Sequence, residues 1–175
     1  MGYNTNMQGL MQFGYDLYIE LKSVKSPVFL CVGSDKFVID SLAPIVAEKL
    51  KNEYSIPAIV YGGLSYNVNR LNLMEVVCYI EAVHEGSPIV LIDATLGENV
   101  GDVEITRGVY AGLGNCLPNR KLGALSILGV VGRKIANFNL NSTRLKYIMD
   151  MADFIAKGCC LAMNKIAKDK CLKVT

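Results

Sequence analysis

Charge of either sign is nearly absent as a surplus: eighteen Lys and Arg stand against sixteen Asp and Glu, leaving a net charge of +2. Binding a phosphate backbone needs a clustered excess of cations, so nucleic acid is excluded as an expected partner. The basic cluster KIAKDKCLK near the end has the spacing of a solvated helix terminus and receives no role. Long apolar runs are also missing. None approaches the roughly 18 residues of a spanning helix, and MGYNTNMQGL lacks the charged region and apolar core of a signal peptide. The expectation is a cytoplasmic protein with no membrane contact. Among six cysteines (Cys31, Cys78, Cys116, Cys159, Cys160, Cys171) there is no CxxC pair, and four lie inside apolar segments. They read as reduced core thiols.

The absences extend to the common catalytic signatures. No Ser or Cys stands in a GxSxG elbow, and the single histidine, His84, has no triad context. After the first apolar run one glycine, Gly33, stands where a dinucleotide-binding turn needs three, so no cofactor is expected. Repeats, linkers and low-complexity segments are missing too, which leaves one domain, 1–175.

What the chain does have is a core. Apolar residues make up 51% and the mean hydropathy is +0.30, which suits a sheet covered on both faces. A chain of this length can bury roughly 70% of the surface it exposes when unfolded, so no staple is needed. The stretch VFLCVGSDKFVIDSLAP, Val28 to Pro44, organises the reading. Val28 to Val32 is continuous rather than alternating, as in a buried parallel strand, and Gly33 lets the chain turn into a polar loop. Ile89 to Ile92 is a second such strand, with Asp93 placed where it ends. Two parallel strands of this kind bring Asp40 and Asp93 to one crevice at the carboxyl edge.

The remaining elements follow from periodicity. Leu10, Phe13, Leu17 and Leu21 predict an N-terminal helix over 5–22, and Leu42, Ile45, Val46 and Leu50 a helix capped by Asp40 or Ser41. Pro57 to Tyr61 reads as a strand ended by Gly62-Gly63; Leu71, Met74, Val77, Cys78 and Tyr79 read as a helix. From Val100 polar and apolar residues alternate, which predicts antiparallel edge structure, and Gly123 to Gly132 is a strand broken at Gly129. Ser142 can cap a long helix over about 142–168. The fold expected is a three-layer α/β domain of the phosphorylase/hydrolase-like kind, with a mixed, mostly parallel sheet and helices on both faces.

Two carboxylates held close together cannot both ionise easily, so one keeps a proton while the other draws one from water. That is the logic of an aspartic hydrolase for Asp40 and Asp93. From the residues alone, the preferred readings are a helix N-cap for Asp40 and a strand-end carboxylate bonded to its loop for Asp93. Asp35 and Lys36 read as supporting residues or as a solvated loop pair. Gly112, Gly114 and Asn115 read as an oxyanion-receiving loop or a tight turn, and Arg144 as a carboxylate partner or a helix cap. Two carboxylates without nitrogen or sulfur ligands form no nickel or zinc site, and no metal is expected.

In the order CVGSDKFVIDSLAP, LIDATLG, GLGNCLP and LNSTRLKYIMDMA, the chain resembles the YyaC family of sporulation proteins, relatives of the spore germination protease, over residues 27–158. Strand, glycine, loop, carboxylate and helix, then a strand ending Asp-Ala, is more distantly similar to hydrogenase maturation proteases. The resemblance implies peptide hydrolysis by a water activated between Asp40 and Asp93. Asp35, Lys36, Gly112, Gly114, Asn115 and Arg144 fall on family positions around that site. A protein or peptide substrate and a forespore or spore location are implied as well; a homo-oligomer is compatible with the sequence. Departures occur at Ser65, Asn67 and Asn69, where the family commonly carries a carboxylate and an imidazole, and at the bulkier Val38, Ile39 and Ala43. They define the competing reading: an inactive paralogue that acts as a binding or scaffold protein.

Overall fold

The structure, a computed structural model, describes residues 1–108, 125–134 and 143–172. Among the described residues six strands form one sheet: β1 (Gly2–Tyr3), β2 (Val28–Cys31), β3 (Ile59–Tyr61), β4 (Ile89–Gly97), β5 (Val103–Arg107) and β6 (Leu125–Arg133). Four α-helices accompany it among those residues: α1 (Met7–Leu21), α2 (Leu42–Glu48), α3 (Leu73–Val83) and α4 (Leu145–Cys171). Across the sheet the order is β1-β5-β6-β4-β2-β3. β3, β2, β4 and β6 are mutually parallel, and β5 and β1 pair antiparallel at the far side. This is the expected mixed, mostly parallel sheet.

Helices cover both faces. Phe13 and Leu17 of α1, Leu42 and Val46 of α2, and Ile155 and Cys159 of α4 pack on the face formed by Phe29, Cys31, Val90, Ile92 and Ile127. α3 takes the other face, where Leu73, Val77 and Ile80 meet Val28, Leu30 and Leu91. The continuous apolar runs of β2 and β4 are thereby explained, since successive side chains enter opposite and equally apolar layers.

Several local expectations are corrected. Gly129 does not break β6, which runs through it in register with Ala94 and Val103. Its missing side chain leaves room for Leu42 and Met151, because a Cβ there would stand 2.3 Å from Leu42 Cδ2 and 2.6 Å from Met151 Sδ. β5 is antiparallel but interior, since β1 pairs with it and supplies the true edge. In α3 the buried stripe is Leu73, Val76, Val77 and Ile80, while Leu71 is 95% exposed and Met74, Cys78 and Tyr79 face solvent. Both sides of that segment carry apolar residues, so the period was legible and its phase was not. Of the described cysteines Cys31 and Cys159 are core thiols, whereas Cys78 and Cys171 are exposed. The helix expected from Ser142 has Arg144 at its N-cap position and no side-chain cap. Asp40 caps nothing either: it lies inside a 3-10 turn, Val38–Ser41, ahead of α2, whose N-cap is Ser41 without a side-chain bond.

α1 and α4 are packed so closely that Gly158 of α4 lies under the Phe13 ring, where a Cβ would stand 2.1 Å from Cδ1. That ring is fully buried, stacked on Phe154 at 5.5 Å between centroids and edge-on to Tyr3 at 5.4 Å, so it has no room to yield. On an open helix surface Gly→Ala stabilises by roughly 1 kcal/mol. Here overpacking, about 1–3 kcal/mol, opposes it. Gly158→Ala is expected to lower the melting temperature, and Phe13→Leu in the same chain to recover part of the loss; thermal melts of the two variants check both signs.

Candidate functional site

The site is built where β2 stops. A Cβ on Gly33 would meet the Asp40 carbonyl oxygen at 2.2 Å and Pro44 Cδ at 2.9 Å, so only glycine lets the strand end pass beneath the 3-10 turn. The Ser34 amide donates to that same carbonyl at 3.0 Å, fixing the turn over the carboxyl edge of the sheet. On the other side the Val68 carbonyl accepts from Gly33 N–H at 2.8 Å, and Asn67 Oδ1 accepts from Asp35 N–H at 3.0 Å. Asn72 in turn donates to the Asn67 carbonyl at 3.0 Å and accepts from Asn69 N–H at 2.8 Å. Asn67, Asn69 and Asn72 therefore hold the first loop in shape.

β4 does not end at Asp93. It runs on to Gly97 beside β6, with a bulge between Thr95 and Leu96, so Asp93 is a mid-strand residue whose neighbour β2 has already finished opposite Ile92. The apolar run stops at Ile92, so Asp93 and Thr95 read as loop, although β6 goes on pairing with them as far as Gly97. β2 and β4 are adjacent and parallel, which brings Asp40 and Asp93 to one edge, as their strands predict.

The two carboxyl groups live in different surroundings. Asp93 is 9% exposed and accepts the Ala94 amide at 2.8 Å through Oδ1. Burial raises its pKa from 3.8 to about 7; the Ala94 amide opposes the rise and the charge of Asp40 adds to it. Asp40 is half-buried and also titrates above the usual carboxylate range, raised by burial and held back by the Ser34 amide. Beside Asp40 opens a cavity of about 410 Å³, walled by Phe37, Ile39, Leu96 and Val131 with Lys134 among its lining residues. Ile39 and Val38 do not fill it: Ile39 lines the wall and Val38 is exposed. Asp93 is not on the cavity wall. Ile92 and Ala94 belong to the face of α1, α2 and α4, so the alternation of the strand sends Asp93 to the other side.

The other expected residues are dispersed. Asp35 and Lys36 sit on the exposed loop and line no part of the cavity. Arg144 lies in a neighbouring hollow with Thr143 and Tyr147, which meets the first cavity only at Val131. Gly112, Gly114 and Asn115 lie outside the described residues. Lys134, Leu96 and Val131 escaped notice because no motif marks a residue that enters a site through strand pairing. His84 is the C-cap of α3 and its Nε2 lies 2.8 Å from Tyr61 Oη, away from the carboxyl pair in the chain's path into β4. Among the described residues no three His, Cys, Asp or Glu side chains converge as a metal site, and no helix is long and apolar enough to cross a membrane.

Fold and edge define a three-layer α/β protein with a carboxyl pair at the carboxyl edge of a mostly parallel sheet. The chain belongs to the family described as "Protein of unknown function (DUF1256)", whose pattern matches residues 2–158. It is 35% identical over 141 residues to "Uncharacterized protein YyaC" of Bacillus subtilis (strain 168), covering 77% of this chain and 68% of that one. The same fold occurs in the peptidyl-tRNA hydrolase of Acinetobacter baumannii, at a TM-score of 0.55 and 13% identity over 81% of this chain and 94% of that one. A [NiFe] hydrogenase maturation protease of Thermococcus kodakarensis aligns at a TM-score of 0.47 and 18% identity, covering 82% of this chain and 98% of that one.

The Asp93 shift fixes the sign of a stability effect. A carboxyl whose pKa is raised in the folded state keeps its contribution below its unfolded value of 3.8 and loses it as pH climbs through about 7. Asp93→Asn, which removes the buried charge and keeps an oxygen for the Ala94 amide, is therefore expected to melt higher than the wild type at pH 8, by on the order of 2–4 kcal/mol of stability, and equally near pH 4. Denaturant titrations at the two pH values measure it. A difference independent of pH would mean that Asp93 ionises normally.

Proposed function

We propose that this protein is a peptide-bond hydrolase that activates water between Asp40 and Asp93, a sporulation peptidase related to the spore germination protease. The single observation that carries the reading is a buried carboxyl and a half-buried one at the edge of adjacent parallel strands, beside an open apolar cavity. Asp40, facing that cavity, serves as the base. It takes a proton from water as the water oxygen bonds to the substrate carbonyl carbon, while Asp93 lends its proton to the carbonyl oxygen. Collapse of the tetrahedral species returns that proton to Asp93, and Asp40 passes the other to the leaving nitrogen as the C–N bond breaks.

Peptide is favoured over peptidyl-tRNA, the substrate in the name of the Acinetobacter baumannii neighbour, because a net charge of +2 supplies no electrostatic footprint for RNA. One observation favours the competing reading of a binding or scaffold protein that has lost the chemistry: Asp93 lies off the cavity wall and is 9% exposed.

Activity on a fluorescein-labelled, unfolded protein separates the two. Hydrolysis is expected to fall by about 10²-fold or more in both Asp40→Asn and Asp93→Asn, the size of a lost general acid or base. In the wild type it should decline as pH rises through about 7, where Asp93 gives up its proton, and decline on the acid side as Asp40 takes one up. No hydrolysis between roughly pH 4 and pH 8, the span over which such a pair titrates, or equal rates in wild type and variants, would establish the binding reading.

A further inference from the structure

Two neighbouring parallel strands of unequal length leave a gap one strand wide. β2 pairs with Ile89 to Ile92 of β4 and makes its last bond from the Val32 amide to the Ile92 carbonyl at 2.9 Å. Beyond that point the chain leaves the plane: the Val68 carbonyl accepts the Gly33 amide, and Val32 bridges to Val68 on the side away from β4. β4 continues to Gly97 with β6 along its other side. Backbone polar groups alternate in direction along a strand. The Pro88 and Ile92 carbonyls accept from Val28 and Val32, so the groups of Ala94, two residues further, point to the same side, into the gap. Among the described residues no strand pairs with β4 there, and the Ala94 amide is held by the carboxylate of the adjoining Asp93 at 2.8 Å.

The gap and the cavity are one place. Ala94 and Leu96 line the cavity, and Asp40 and Ile39 lie across it. Ala94, Leu96, Ile39 and Val131 all belong to the same apolar layer, so a side chain leaving an inserted strand on that face enters the 410 Å³ space. The opposite side of the inserted strand faces the layer into which Asp93 projects.

We infer that the ligand of this site is an extended peptide segment that completes the sheet beside β4, pairing with Ala94 and Leu96 in the place vacated by β2 and setting one apolar side chain among Ile39, Leu96 and Val131. Recognition is then by main chain, as in strand addition to an exposed sheet edge, with specificity at every second residue. Folded proteins cannot present such a segment, so the substrate class is an unfolded or unstructured chain with an aliphatic residue. The inference rests on the peptidase reading for what happens next, but not for binding itself.

The test uses Asp93→Asn, with Asp40→Asn as a second, independently folded background, and the probe acetyl-AVLAV-amide. Binding is followed by amide chemical shifts and calorimetry up to about 1 mM, a weak but measurable affinity. The signals of Ala94, Leu96 and Ile39 should move together. N-methylation of the probe at the leucine and, in a second probe, at the following alanine removes amides that point in opposite directions. One of the two should lose about tenfold in affinity, as expected when a carbonyl is left unpaired, and the other should bind as before. Ile39→Lys should weaken the parent probe by a similar factor. Equal effects of the two N-methyl groups, an unchanged affinity in Ile39→Lys, or no binding in either background overturns strand addition. Binding as described with no hydrolysis by the wild type leaves strand addition standing and sinks the peptidase reading. Hydrolysis of unfolded protein without the alternating N-methyl effect does the reverse.

Discussion

The close passage of Gly33 beneath the Asp40 carbonyl shapes everything at the carboxyl edge. With 2.2 Å between a hypothetical Cβ and that oxygen, the contact exists only because position 33 has no side chain. It draws the chain out of the sheet after Cys31, so β2 is five residues shorter at this end than β4, which reaches Gly97. It also sets the 3-10 turn over the opening, with Asp40 aimed across it and α2 starting immediately behind. The cavity, the side of β4 that no described strand covers beyond Ile92, and the placement of the first carboxylate are three consequences of one steric fact.

The second carboxylate is held at an energetic disadvantage. Asp93 springs from mid-strand into a region so dry that its ionisation is delayed to about pH 7. An ordinary hydrophobic residue there would stabilise the sheet. The surrounding structure tolerates the polar group because its oxygen takes the Ala94 amide, a donor that the end of β2 would otherwise leave exposed. Asp93 thus replaces, for one hydrogen bond, the strand that is missing. Stability is carried elsewhere, by the α1 and α4 interface around Phe13, Phe154 and Gly158 and by Lys49, which is 7% exposed yet ties α2 to α4 through Asp153 at 2.6 Å.

Both carboxyl groups are raised by burial, Asp93 more deeply buried than Asp40. The loop from Gly62 to Asn72 is tied to its surroundings by hydrogen bonds. Glu48 accepts the Leu64 amide at 2.9 Å and Lys51 donates to the Gly62 carbonyl at 2.5 Å, and the asparagine bonds carry that rigidity to Asp35.

Most of the element order was legible in the chain. Unbroken apolar runs at Val28 and Ile89, the three-and-four spacing of Phe13, Leu17 and Leu21, and the alternation from Val100 each report a local environment that periodicity encodes directly. The convergence of Asp40 and Asp93 on one edge was legible too, because adjacent parallel strands place their carboxyl ends together. What escaped were quantities that belong to pairs of segments. The sheet-facing side of α3, the pairing of Gly2 and Tyr3 with β5, and the passage of β6 through Gly129 depend on which surface each element meets. Likewise, the sequence by itself determined that one carboxylate would follow a buried strand and that a second would stand directly after the apolar run of its neighbour. Only the tertiary structure decided that β4 outruns β2, that Asp93 is dry while Asp40 faces a cavity, and that Lys134 and Val131 join them, because hydrogen-bond register and burial are set by neighbours far away in the chain.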